Sequence, residues 1–149
     1  MSTEHGDFIV PGRPVGYTRQ TTRSKWTPQA KRYHEYQEAV RAYATAAGLS
    51  VPLLATADDP VFIDVQLHLN AADWKSYASG APFPDPENVR KGIVDALFYV
   101  SNRAKKLGKR LGIKTGNDRY CYGEILVTDE ALFEKGRVWV NVLRRPRNA

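Results

Sequence analysis

Two periods run through the apolar positions of this chain. Alternation is clearest in Val61–Asn70, where every odd-numbered position from Ile63 to Leu69 is apolar and Asp64, Gln66 and His68 point the other way. That pattern predicts a half-buried strand with a hydrated polar face. Arg137–Leu143 alternates in the same manner, Tyr120–Val127 reads as a strand, and Phe8–Val10 is a short strand stopped by Pro11-Gly12 and Pro14. Helical spacing appears where Tyr33, Tyr36, Val40, Tyr43, Ala44 and Ala47 recur at steps of three and four. Thr27 and Pro28 open that helix and Gly48 stops it. A second helix starts at Asp85-Pro86, runs through Leu97 and ends within Phe98-Tyr99-Val100. The remainder reads as a connection over 49–60, a polar loop over 71–82, a basic helix or loop over 101–116, a turn over 116–119 and a connection over 128–136. The order strand, helix, strand, helix, strand, strand predicts one α+β domain over residues 1–149. Its mixed sheet would pack against two main helices, with residues 1–6 and 144–149 as flexible ends.

The second helix carries the densest chemistry. At ~100° per residue, with Glu87 as zero, Lys91, Asp95 and Asn88 fall between roughly 40° and 100°. Val89, Ile93, Ala96 and Leu97 fall between roughly 180° and 280° on the same wheel. One face is therefore apolar, and the opposite face gathers carboxylates, an amide and an amine, with Asp85 at its mouth. An ordinary amphipathic helix with a capping Asp and a Glu87–Lys91 pair accounts for much of this. The acid density at the entry adds a second reading. Asp85 and Glu87 flank a single proline at a rigid turn, so both can face one cation, and Mg²⁺ is commonly held by a few carboxylates.

Charge extends that reading. The chain has a formal net charge of +6, and a small basic domain suits a polyanionic partner such as nucleic acid. Two stretches offer phosphate contacts: Arg19, Arg23 and Lys25 beside Trp26, and Lys105, Lys106, Lys109 and Arg110 in the run after the second helix. Each is equally readable as a solvated surface, as is the basic tail Arg144-Arg145-Pro146-Arg147. The single cysteine, Cys121, excludes an internal disulfide, fits a reducing compartment and reads as a buried structural thiol. No apolar run approaches the ~18 residues of a membrane span, and no signal-peptide pattern is present. A cytoplasmic protein is expected.

Asp85-x-Glu87-Asn88-x-x-Lys91-x-x-x-Asp95-Ala96-Leu97, followed by Asp118 before a strand, resembles the signature of the RusA family of Holliday-junction resolvases. The likeness extends over most of residues 7–143, from the opening strand and its Pro-rich loop to the closing Gly136-Arg137-Val138-x-Val140-x-Val142. It implies a small dimeric Mg²⁺-dependent endonuclease of bacteria or their phages, with Mn²⁺ as a substitute metal, that resolves four-way DNA junctions by paired nicks. By the same resemblance Asp85, Glu87 and Asp118 are metal-binding acids and Lys91 is the catalytic-site lysine, while Asn88 and Asp95 support them. Two departures stand out. Glu87 occupies a position where the motif usually has Asp, and Asn117 replaces the acid that usually precedes Asp118. The segment between Asp95 and Asp118 is also longer and more basic than the family pattern. Two other functions fit the same residues: a nuclease acting on flaps and other branches, and a homologue that binds DNA junctions without cutting.

Overall fold

The computed structural model describes residues 5–17, 27–111, 118–129 and 135–144. A five-stranded mixed sheet forms the centre. Strand β1 (His5–Pro11) lies antiparallel to β5 (Arg137–Arg144), and β5 lies antiparallel to β2 (Val61–Leu69). Strands β3 (Cys121–Tyr122) and β4 (Ile125–Asp129) both run parallel to β2. The predicted single strand over Tyr120–Val127 is thus split in two. The pairs Val61–Cys121 and Val65–Ile125 share one register, so β3 and β4 are one strand interrupted at Gly123-Glu124.

Among the described residues four α-helices precede β3, where two main ones were expected. Helix α1 (Pro28–Ala46) and helix α3 (Pro86–Phe98) begin as the sequence predicts: Thr27 accepts from the Ala30 N–H at 3.1 Å, and Asp85 accepts from the Glu87 N–H at 2.9 Å. Helix α2 (Ala71–Ser79) replaces the predicted polar loop. Asn70 caps it by accepting from the Asp73 N–H at 2.8 Å, and Gly80 closes it in the left-handed conformation. It buries none of its residues, which is why apolar periodicity did not reveal it. The basic stretch after α3 forms helix α4 (Asn102–Leu111).

The core lies between the sheet and helices α1 and α3. Val40 and Ala44 of α1 and Val89, Ile93, Ala96 and Leu97 of α3 are fully buried against Ile63, Val65, Leu67, Val138, Val140 and Val142. The apolar arc read from the α3 wheel is therefore its buried face. Fully burying one aliphatic side chain contributes about 1.5–3 kcal/mol, so these contacts fix α3 with its polar face outward.

Three local expectations are corrected. His68 is 6% exposed rather than hydrated. Its Nδ1 accepts from Arg137 Nε at 2.9 Å, which leaves Nε2–H to donate to Gln66 Oε1 at 3.1 Å. Residues 5 and 6 belong to β1 rather than to a loose end. Arg144 belongs to β5 and donates to Asp59 at 2.9 Å, a bond that orders the end of the strand.

Candidate active site

The polar face of α3 is the candidate site, and four features position it. The first is the cap. Asp85 and Glu87 are exposed at the helix entry, with one Asp85 oxygen engaged by the Glu87 N–H.

The second is the loop before α1. The Tyr17 N–H donates to the Asn88 carbonyl at 3.0 Å, which lays this loop along the first turns of α3. Lys91 then places its ammonium 4.2 Å from the centre of the Tyr17 ring. Tyr17 in turn meets Tyr33 of α1 edge-on at 5.6 Å. Such a cation–π contact is worth about 0.5–1 kcal/mol at an exposed site. It orders an otherwise free lysine without neutralising it.

The third is Gly92. A Cβ there would approach the Tyr33 ring to 3.0 Å, so a glycine lets the tyrosine lie directly against the helix. Gln37 Nε2 donates both to the Tyr33 hydroxyl (2.8 Å) and to the Gly92 carbonyl (3.2 Å). Burial, with the Asp95 charge behind it, raises the Tyr33 phenol well above its ordinary value, so it stays neutral.

The fourth is Arg90, which ties α3 to the interrupted strand edge. The interruption between β3 and β4 leaves the Ile63 carbonyl without a strand partner. Arg90 fills it from α3, donating through Nε at 3.3 Å and Nη2 at 3.2 Å. Gly123, at φ +143°, makes the room, because a Cβ there would collide with the Ile63 carbonyl. The 3-10 turn Asp118–Tyr120 leads into β3, ahead of this break, and packs against α3.

From this turn the Asp118 charge acts on Asp95. The Asp95 carboxyl is half-buried and held above the usual carboxylate range, first by burial and then by the Asp118 charge, with Lys91 pulling it back down. Asp85 sits ten residues earlier on the same helix, about 15 Å along the axis at 1.5 Å per residue. Asp85 and Glu87 thus lie at the helix entry, and Asp95, on which the Asp118 charge acts, lies further along. Lys91 lies between them. Among the described residues, no three His, Cys, Asp or Glu side chains converge as a ready metal cage.

The other sequence candidates are placed as follows. Asn88 is exposed on the site face. Lys105, Lys106, Lys109 and Arg110 are exposed on α4, which carries no acidic residue. Arg19, Arg23 and Lys25 lie outside the described residues. Cys121 is partly buried and its thiol is pushed up to about 11, chiefly by burial, so it is an inert thiol rather than a nucleophile. Sequence reasoning missed Tyr17, Arg90 and Gly92. Their roles depend on partners 71, 27 and 59 positions away, Asn88, Ile63 and Tyr33, and periodicity carries no such information.

Residues 11–106 match the family model for the endodeoxyribonuclease RusA. That span contains Asp85, Glu87, Asn88, Lys91 and Asp95 in their motif spacing. The chain belongs to the RusA endodeoxyribonuclease family. Its activity class is accordingly that of a nuclease, and the mixed α+β domain is consistent with the family's fold. No match is found among curated proteins. Among solved structures, a match is the crystal structure of cyanuric acid hydrolase from A. caulinodans, at 16% identity and a TM-score of 0.31. It covers 97% of this chain, which spans 40% of that protein, a likeness too loose to bear on function. No helix among the described residues is long and apolar enough to cross a membrane.

Proposed function

We propose that this RusA-family chain is a Mg²⁺-dependent endonuclease that resolves four-way DNA junctions by paired symmetric nicks, in DNA recombination and repair. The observation that carries the reading is the packing of the Asp118 turn on the helix that bears the family motif, where the charges of Asp118 and Lys91 both act on Asp95. The donor set fits a hard divalent cation, because it consists of carboxylates on an open face. The lack of a three-acid cage is compatible with Mg²⁺, which is usually held by one or two carboxylates together with substrate phosphate and water. Asp85 with Glu87 at the helix entry would hold one such ion and Asp118 with Asp95 another, and Mn²⁺ would serve the same donors.

When bound, the cation supplies Lewis acidity toward the phosphate and a more acidic water. The chain's own residues do the rest. Lys91, ordered by Tyr17, sets an ammonium on the site face where it offsets charge developing on the phosphate. Arg90 holds α3 against the strand break and so fixes the helix that carries Lys91 and Asp95 on the sheet. The exposed cations of α4 extend a positive surface from the same end of α3, suited to a DNA arm. A four-way junction has approximate two-fold symmetry, and a homodimer with two such sites matches two symmetric cuts. Such an enzyme would act in the cytoplasm of a bacterial cell, where its DNA substrate lies.

The test is cleavage of a labelled synthetic four-way junction in Mg²⁺, beside a flap and a linear duplex, with Asp85→Asn as the control. Paired nicks on the junction alone, absent in the variant while binding persists, are the expected result. Equal cutting of flap and junction would make the chain a general branch nuclease. Tight junction binding without cutting in Mg²⁺ or Mn²⁺ would sink the enzymatic reading.

A further inference from the structure

Beside the candidate active site lies a recess that the metal chemistry does not use. It is a cavity of about 810 Å³ between the loop over 13–17, the first turns of α1 and the Pro82–Pro84 approach to α3, and it opens at Asp85 and Asn88. That volume is in the range of small-molecule sites. Two aromatic rings line it, and both are fixed. Tyr17 stands edge-on to Tyr33 and under Lys91. Phe83 stands edge-on to Tyr77 at 6.2 Å, with the Arg13 guanidinium 5.3 Å from its ring centre. Arg13 is in turn tied to Asp73 at 3.5 Å. The amides of Gln29 and Asn88 and the guanidinium of Arg32 also line it, and Asp85 is the only acid among the described residues that do.

We propose that this cavity is a nucleotide subsite, which takes one unstacked base from the strand adjoining the cut. This rests on the nuclease reading and deepens it. Flat aromatic walls suit the face of a base, amides suit its edge and arginines suit its phosphate. A continuous duplex offers only grooves and backbone to a protein surface, and its stacked bases cannot enter a recess without being extruded. Extrusion costs least where a base has already lost stacking or pairing, as at a branch point. The cavity thereby supplies what the acids and lysine lack, a means of telling a branch from a duplex beside the scissile phosphate.

Binding measured in EDTA tests this without any cleavage. The probes are a synthetic four-way junction, the same junction with abasic sites at its branch-point nucleotides, and a linear duplex. Phe83→Leu, which keeps an apolar side chain, should weaken binding to the intact junction by about 5- to 100-fold, the span of one lost base–aromatic stack. Arg32→Gln, an exposed change on α1, should weaken it severalfold. Neither should alter duplex affinity by more than about twofold, since backbone contacts elsewhere carry it, and wild type and Phe83→Leu should bind the abasic junction alike. Equal losses on junction and duplex, or an undiminished difference on the abasic junction, would overturn the subsite. If wild type cuts junctions but these ratios do not move, the subsite alone fails. If it cuts no DNA yet the ratios move as stated, the nuclease reading fails and the subsite stands.

Discussion

Replacing Arg90 by Met should loosen the protein and slow its chemistry while leaving its hold on DNA intact. The stem of the side chain is kept in length and apolar character, so the change isolates the guanidinium. What is lost is a charged fork on the Ile63 carbonyl, with contacts of 3.3 and 3.2 Å. A hydrogen bond from a charged group contributes about 1.5–3 kcal/mol, and an orphaned buried acceptor costs about 1–3 kcal/mol. These are two views of one event and are not summed. The long distances put the expected loss near 2 kcal/mol, at the lower end of the charged range. For a chain of this size that is a fall in Tm of roughly 4–8 °C. Urea unfolding of wild type, Arg90→Met and Arg90→Lys measures it, and Lys should recover part of the loss, since it keeps a charge but not the fork.

The catalytic consequence follows from what Arg90 joins. It ties the helix carrying Lys91 and Asp95 to the sheet at the strand break, so its loss should lower kcat on a branched substrate about tenfold or more, as expected for misplaced catalytic groups. Dissociation constants in EDTA should change by less than about twofold, because no phosphate-binding side chain is removed. Gly123→Ala should reproduce the effect from the other side, since its methyl group would displace the Ile63 carbonyl and crowd the Arg90 guanidinium, 3.0 Å from the added carbon. Stability within about 0.5 kcal/mol of wild type, the ordinary scatter of surface changes, would refute the tether. So would an unchanged kcat in a destabilised variant.

Three further outcomes are expected. Asp85→Asn should cost at most a few tenths of a kcal/mol, because Asn caps a helix as well as Asp, whereas Asp85→Ala should cost about 1 kcal/mol; thermal unfolding separates the two, and loss of cleavage in the Asn variant then reports on chemistry alone. Asp95 is held above the ordinary carboxylate range, so the folded state binds the extra proton; metal-free stability is fully present below the unfolded carboxylate pKa and falls as pH rises through the raised one. Asp95→Asn should flatten that slope in Tm measured in EDTA over roughly pH 3–7, and Asp118→Asn should lower the Asp95 pKa by NMR titration; an unaltered slope and pKa would separate the two acids. Changing Lys105, Lys106, Lys109 and Arg110 together to Gln should reduce the log–log salt slope of DNA binding by up to about 3–4, at ~0.9 per phosphate contact, and an unchanged slope would remove α4 from the interface.

Helix α3 was legible in the sequence because everything that defines it is local. The cap, the proline after it and the apolar arc lie within thirteen residues, and the motif rides on that helix in fixed order. Strand β2 was legible for the same reason, up to His68. There the alternation rule failed, because Arg137 and Gln66 satisfy an imidazole that period alone assigns to water. Helix α2 was missed because it buries no residue and is specified by its caps, Asn70 and Gly80, rather than by an apolar face.

The site itself was half legible, and its two halves differ in kind. Glu87, Lys91 and Asp95 belong to one helix, so spacing places them. Asp118 reaches that helix through the 3-10 turn ahead of β3, a tertiary contact that spacing along the chain does not encode. A glycine that admits a carbonyl and an arginine that satisfies it each have ordinary explanations when read alone. Together Gly123 and Arg90 tie the interrupted edge of β2 to α3. By family resemblance Asp118 groups with Asp85 and Glu87, and its charge also acts on the half-buried Asp95, which feels Lys91 as well.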